Sequence, residues 1–265
     1  MTMRLMLATV SALAIGLGAA AVAGQAPPSA ADILTRSVAA HGGDRLTAWQ
    51  TLTITGTVPM RDGITYNAAF TLRAKPPGAV RVDQDMTADH GRLFYEYFLH
   101  GGVGWNRRNL VVGPYDAARM QRWLEHAYGI AFYARQPAPP VLKGEADVAW
   151  PLPSTAGGAP APATRRAWVL AVTVGTEARE IYIDTENFHF LKEVSPAGTR
   201  TFGDFKTFGG VLWPTRMVET ARGRQGESHT PFSYANILYN APIEDWVFTE
   251  DKPKASTPGV IVPAQ

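Results

Sequence analysis

The chain has 265 residues, and its 25 Lys and Arg nearly balance 23 Asp and Glu, which leaves a formal net charge of +2. This balance gives no broad basic surface of the kind that nucleic-acid binding requires, so we expect no nucleic-acid partner. The chain has no cysteine. Disulfide bonds, thiolate catalysis, zinc sites built on cysteine and a lipid-modified N-terminal cysteine are therefore excluded.

The N-terminal residues have the three parts of a secretory signal peptide. Arg4 is the only charge before an apolar run from Leu5 to Ala20, and Ala21-Val22-Ala23 offers a small-residue cleavage site. A transmembrane anchor is the alternative, but no positive cluster follows the run. We predict Sec-type export to the periplasm and a mature protein that is soluble, since no second apolar segment of membrane-spanning length follows. The predicted parts are a signal peptide over 1–23, a tether over 24–30, one domain over 31–250 and a tail over 251–265.

Two short helices are predicted at the start of the mature chain. Ser29 lies three residues before Asp32, which is the spacing of a capping box that satisfies free N–H groups in a first helical turn. A short apolar stripe follows, and Gly42-Gly43 ends the helix. A second helix is expected over 44–50, and we interpret both helices as packing elements.

From residue 51 onward, apolar and polar side chains alternate, which is typical of half-buried antiparallel strands. Residues 151–164 are rich in Pro, Ala and Gly, and we interpret them as a flexible surface loop inside the domain. About eleven or twelve strands should curl into a barrel or half-barrel. They are expected near 51–58, 66–73, 80–85, 92–99, 105–111, 168–174, 180–184, 188–194, 199–208, 211–221 and 228–239.

One longer helix interrupts the strands in the middle of the chain. Pro114 is predicted to open it, because proline in a first helical turn loses no hydrogen bond. Gly129 weakens its second half. Five apolar side chains share one face, which must be buried: Met120, Trp123, Leu124, Ala127 and Ala131. Three charged side chains are predicted to lie off that face: Arg119, Arg122 and Glu125.

Patterns of catalytic or metal-binding residues are missing from the sequence. The six histidines are scattered without metal-ligand spacing, and no G-x-S-x-G nucleophile motif is present. Ser228-His229 are adjacent, yet successive strand residues point to opposite faces, so a hairpin turn is the better interpretation. We therefore predict no enzyme activity, no catalytic residue, no metal and no cofactor.

Short motifs occur in a particular order along nearly the whole mature chain. They are His41-Gly42-Gly43, Gly56-Thr57-Val58, Phe70-Thr71-Leu72-Arg73, Pro76-Pro77, Arg81-Val82, Tyr182-Ile183-Asp184 and Gly209-Gly210-Val211-Leu212-Trp213-Pro214. In this order they resemble the LolA/LolB-like family of periplasmic lipoprotein carriers. The resemblance implies a mainly β (α+β) fold, an unclosed antiparallel β-barrel of about 11 strands with two to three helices over its concave face.

The resemblance also implies a cavity that shelters acyl chains, with Arg81 holding a helical lid over it. Arg81 alternates out of phase with Val80 and Val82, so it faces inward only if the polar face is the concave one. The chain is longer than the usual carrier, mainly through residues 112–165.

The leading hypothesis is a non-enzymatic carrier or binder of lipid or lipoprotein acyl chains. Apolar contact can hold such a chain at about 0.8 kcal/mol per buried CH₂. An envelope sensor or scaffold that binds a protein partner, and an enzyme acting on a polymer or lipid, are the alternatives. We expect a monomer, with envelope transport proteins as candidate partners.

The lining of the cavity is expected to come from alternate strand positions and from the covering helix. The candidates are Leu52, Ile54, Tyr66, Phe70, Leu72, Arg81, Met120, Trp123 and Leu124. The same residues could form a plain core. A void well beyond ~300 Å³ lined by them would favour a binder.

Overall fold

Thirteen antiparallel strands form one open sheet in the computed structural model, which describes residues 28–62, 64–86, 94–150, 163–223 and 226–250. The strands are β1 (Leu52–Asp62), β2 (Ile64–Lys75), β3 (Ala79–Asp85), β4 (Phe94–His100), β5 (Val103–Arg108), β6 (Val111–Pro114), β7 (Val141–Trp150), β8 (Ala163–Val174), β9 (Glu177–Asp184), β10 (Phe190–Ser195), β11 (Gly198–Phe208), β12 (Val211–Gly223) and β13 (Gly226–Tyr239). The mainly β, unclosed architecture predicted from the sequence is confirmed. Three predicted parts lie wholly or mostly outside the described residues: 1–23, 151–164 and 251–265.

The order of strands in the sheet is β6-β5-β4-β3-β2-β1-β13-β12-β11-β10-β9-β8-β7. Two meanders, β1 to β6 and β7 to β13, are therefore joined where β1 pairs with β13. The two edge strands, β6 and β7, are consecutive in the chain. The segment that connects them must cross from one edge of the sheet to the other.

In the described residues, four short α-helices and one 3₁₀ helix accompany the sheet. They are α1 (Ala30–Ala40), α2 (Asp44–Thr47), α3 (Ala117–Tyr128), α4 (Ile130–Ala134) and the 3₁₀ helix Asp245–Phe248. The predicted cap of α1 is confirmed, since the Ser29 side chain accepts a hydrogen bond from the Asp32 backbone N–H at 3.1 Å. No helix in the described ranges is long and apolar enough to cross a membrane.

The middle helix starts later than predicted. Pro114 is the last residue of β6 and pairs with Trp105, so it does not open the helix. The Asp116 carboxylate caps α3 instead, accepting from the backbone N–H of Ala118 at 2.9 Å. Gly129, at φ 53, then breaks the helix and separates α3 from α4, a conformation that glycine adopts without strain.

Helices α1, α3 and α4 pack on one face of the sheet, which we call the inner face. Alternate strand residues such as Ile54 and Phe70 bury their side chains there together with Ile33 of α1 and Leu124 of α3. Because these side chains form one continuous cluster, the inner face and the helices share a single core.

The opposite, outer face carries a second buried group beneath the 3₁₀ helix. Arg81 lies there, 2.5 Å from the Glu96 carboxylate and 2.7 Å from Glu250, and its guanidinium stacks 4.9 Å from the Phe98 ring. Its Nη1 also donates to the Val247 carbonyl at 3.2 Å. Arg81 therefore holds the C-terminal part of the described chain against the outer face of the sheet.

Candidate functional site

The predicted lining residues are mostly brought together on the inner face. Six of them are fully buried in the one inner cluster: Leu52, Ile54, Phe70, Leu72, Met120 and Leu124. Trp123 is partly buried and packs against the same cluster. Tyr66 lies in β2 opposite Met60, but its side chain is outside the described residues. Arg81 is on the outer face, so it does not belong to this group.

Aromatic side chains dock α3 onto the sheet. The Phe70 ring lies 5.5 Å from the Trp123 ring, 5.4 Å from Phe232 and 5.9 Å from Tyr234, measured between centroids. These separations are those of favourable aromatic pairs. The helix therefore rests on β2 and β13, which lie on either side of the central strand β1.

The inner core is closed in this conformation. A cavity of about 30 Å³ lies between α4 and the sheet, bordered by side chains that include His41, Glu193, Phe202 and Trp213. At about 10–15 Å³ for each water, this holds two or three water molecules and no acyl chain. A wider depression of about 570 Å³ lies outside the core at the β5–β6 hairpin, around the exposed Leu110. Side chains of α3 and α4 pack against the inner face, where a ligand cavity was expected.

One rim of the inner face is charged. The N-terminal ends of β9 and β11 and the C-terminal ends of β10 and β12 meet there, because neighbouring strands are antiparallel. We call the side chains at this rim and on the adjoining part of α3 the charged cluster. Its members are Arg122, Glu125, Arg179, Glu193, Arg200 and Glu219.

Two arginines of the charged cluster hold α3 to the sheet. Arg179 Nη1 lies 2.8 Å from the Glu125 carboxylate of α3 and 3.5 Å from Glu193 of β10. Arg200 donates through Nη1 to the backbone carbonyl of Arg122 at 3.2 Å and contacts Glu219 at 3.4 Å. Since both arginines are anchored in strands, they clamp the helix against β9 and β11.

Burial and neighbouring charges set the protonation of the cluster. Burial alone would lower the pKa of Arg179, but the Glu125 carboxylate, together with Tyr133 and Glu193, more than offsets it and the pKa is raised. The pKa of Tyr133 is raised by burial and by the nearby Glu193 carboxylate. Arg179 therefore stays charged, and the phenol stays neutral, at any physiological pH.

The two buried histidines of the inner face are neutral. Burial lowers the pKa of His41 to about 4, and its ring nitrogens face the Ser37 carbonyl at 2.9 Å and the Phe190 N–H at 3.4 Å. Burial and the Arg200 charge lower the pKa of His126, whose Nε2 lies 3.0 Å from the Tyr234 hydroxyl. Both rings thus serve as hydrogen-bonded parts of the core.

Comparison with known proteins gives no sequence relative but does give a fold. No protein-family model matches the chain, and a search of curated proteins finds no match. Among solved structures, a LolA superfamily protein from Nitrosomonas europaea is 12% identical with a TM-score of 0.51, over 85% of this chain and 99% of that one. A DUF1329 family protein from Desulfovibrio piger is 14% identical with a TM-score of 0.53, over 83% of this chain and 95% of that one. The chain has a LolA-like fold.

Arg81 does not contact the helices of the inner face in this LolA-like fold, and two other arginines do. Arg81 cannot hold a lid on the inner face, because its side chain is on the outer face with Glu96 and Glu250. Arg179 and Arg200 contact α3 instead, and sequence reasoning missed both. They lie 54 and 78 residues from their partners in α3, so no local pattern in the sequence links them.

Proposed function

We propose that this protein is a non-enzymatic periplasmic binder or carrier of lipid or lipoprotein acyl chains, held between the inner face of the sheet and α3 and α4. The observation that carries the proposal is the course of the chain. Helices α3 and α4 lie in the segment that joins the two edge strands β6 and β7, and this segment crosses the inner face. The helices take no part in the pairing of strands in the sheet, so they can move away without breaking it.

Movement of α3 and α4 would leave an apolar surface ready for an acyl chain. The inner-face side chains include Leu52, Ile54, Phe70 and Leu72, all fully buried now in the cluster that also holds Leu124 of α3. An acyl chain placed there gains about 0.8 kcal/mol for each CH₂ that it buries, which offsets the lost packing of the helix. Since α3 covers this surface, the apparent affinity depends on how often the helix opens.

Binding is expected to respond to the strength of the α3 clamp. Glu125→Gln removes the charge that Arg179 holds on α3, while Arg179 keeps Glu177 and Glu193 as partners. A larger open fraction should tighten the apparent dissociation constant for a neutral probe by about threefold to tenfold, the effect of about 1 kcal/mol. The measurement is a fluorescence titration of the purified chain, residues 24–265, with a pyrene-labelled long-chain alcohol.

Glu145→Gln is the matched control for this titration. Glu145 pairs with Arg166 on β7 and β8, away from α3, so the substitution should leave the affinity unchanged. Solvent extraction of protein purified from a periplasm should also release acyl lipid that mass spectrometry identifies. If no variant binds the probe and the extract holds no lipid, the acyl-binding proposal is wrong and a protein-binding scaffold takes its place.

A further inference from the structure

Arg122 differs from the other two arginines of the charged cluster. Among the described residues, its Nε and Nη2 atoms are buried and have no hydrogen-bond partner. The carboxylate of Glu193 is 3.9 Å from Nη2, beyond hydrogen-bonding distance. Glu193 and Glu219 are engaged by Arg179 and Arg200 at shorter distances. The guanidinium of Arg122 is thus left with two donors unfilled.

The two unfilled donors form one recognisable edge. Nε–H and Nη2–H lie side by side on a guanidinium and point the same way, so together they match two oxygens of a carboxylate or phosphate. A buried charged group without such a partner is unfavourable, and an arriving anion would relieve it. Burial and the adjacent Arg200 lower the pKa of Arg122, and the more distant Glu193 and Glu219 only partly offset them.

The position of Arg122 suits the polar end of a lipid. The side chain is 14% exposed and lies at the charged rim, where the apolar inner face ends. An acyl chain lying along the inner face would bring its head group to this rim. The carboxylates nearby are Glu125, Glu193 and Glu219, and each already faces Arg179 or Arg200.

We propose that Arg122 selects acyl lipids with an anionic oxyacid head group, binding a carboxylate or phosphate through its Nε and Nη2 atoms. The inference rests on the proposed acyl-chain binding and adds the class of head group. Arg179 and Arg200 hold the sheet carboxylates Glu193 and Glu219 at shorter distances than Arg122 does, so these carboxylates compete less with an incoming anion for Nε and Nη2 of Arg122. Movement of α3 on loading exposes the two donors to the head group.

The test compares two ligands that differ only in the head group, dodecanoate and 1-dodecanol, at pH 8. Each displaces the pyrene-labelled alcohol from the whole mature chain. The wild-type protein should prefer dodecanoate by about tenfold or more, the usual value of a charge-assisted hydrogen-bonded pair. In Arg122→Gln the preference should fall below about twofold, while the affinity for dodecanol is retained.

Two further variants separate this role from a structural one. Arg122→Lys keeps the charge without the paired donors and should show an intermediate preference. Arg119→Gln, at an exposed position of the same helix, should behave as the wild type. Millimolar inorganic phosphate should compete poorly, because it lacks the acyl chain.

Four results would contradict the inference or the function on which it rests. A preference for dodecanoate that persists in Arg122→Gln would show that this side chain does not bind the head group. Displacement of dodecanoate by inorganic phosphate as efficient as by dodecanol would indicate a site for free anions. Binding of neither dodecanoate nor dodecanol would contradict the proposed function itself, whereas equal binding of both would contradict only the head-group inference.

Discussion

Arg179→Met is expected to lower the free energy of unfolding by about 3–5 kcal/mol, as for other buried ion pairs that lose one partner. The Arg179 side chain is 4% exposed, and its partners Glu193 and Glu125 are 5% and 11% exposed. Methionine leaves both carboxylates buried without their cation, and it releases α3 from β9. Urea unfolding at pH 7 measures the change.

Arg166→Met is the matched control for this substitution. Arg166 is also a strand arginine paired with two carboxylates, Glu145 and Asp147, but its side chain is 57% exposed. Exposed pairs contribute little, so its loss should cost less than about 1 kcal/mol. Equal destabilisation by the two substitutions would show that the charged cluster does not clamp the helix.

Phe70→Ala is expected to destabilise the protein by about 3–5 kcal/mol, the usual cost of removing a buried phenylalanine ring. Phe70 is 1% exposed and contacts rings from both α3 and β13, namely Trp123 and Phe232. Its removal leaves a hole where the helix rests on the sheet. Leu110→Ala, at a side chain that is 92% exposed, should change stability by less than about 0.5 kcal/mol.

A double-mutant cycle of Phe70→Ala with Trp123→Ala tests the contact directly. Because the rings lie 5.5 Å apart, the two changes should be non-additive by about 0.5–1.5 kcal/mol. Additive effects would mean that α3 does not depend on Phe70 for its position.

Local patterns in the sequence were sufficient to predict much of the fold. The Ser29 cap, the alternation that buries Ile54 and Phe70, and the apolar face of α3 are each set within a few residues. These patterns place a residue on one face of its own element. They do not say which face of the sheet the helices cover, and that is why Arg81 was assigned to the cavity while it lies on the outer face.

Local patterns in the sequence could not predict the edge strands of the sheet or the contacts between distant residues. Strand β6 has four residues and pairs with β5 alone among the described strands, and its end at Pro114 looked like the start of a helix. Arg122 and Glu125 were predicted to lie off the apolar face of α3, and their burial depends on Arg179 and Arg200 from distant strands. The charged cluster exists only once four strand ends have met at one rim.

The closed core and the proposed carrier role are compatible only if α3 and α4 move. A cavity of about 30 Å³ admits no acyl chain, so binding must be coupled to displacement of the helices. Under the proposed function, the clamp of Arg179 and Arg200 would set how often the helices open, and the apolar inner face would set the affinity for an acyl chain.

The distance between α3 and the sheet during loading tests this coupling most directly. The chain has no cysteine, so spin labels can be placed on cysteines introduced at two exposed positions, Arg119 of α3 and Lys206 of β11. A control pair at Lys206 and Ser228 lies within the sheet. Saturating 1-dodecanol should lengthen the first distance by roughly 5–10 Å, up to the width of a helix, and leave the second unchanged. An unchanged first distance in protein that has bound dodecanol would contradict the account.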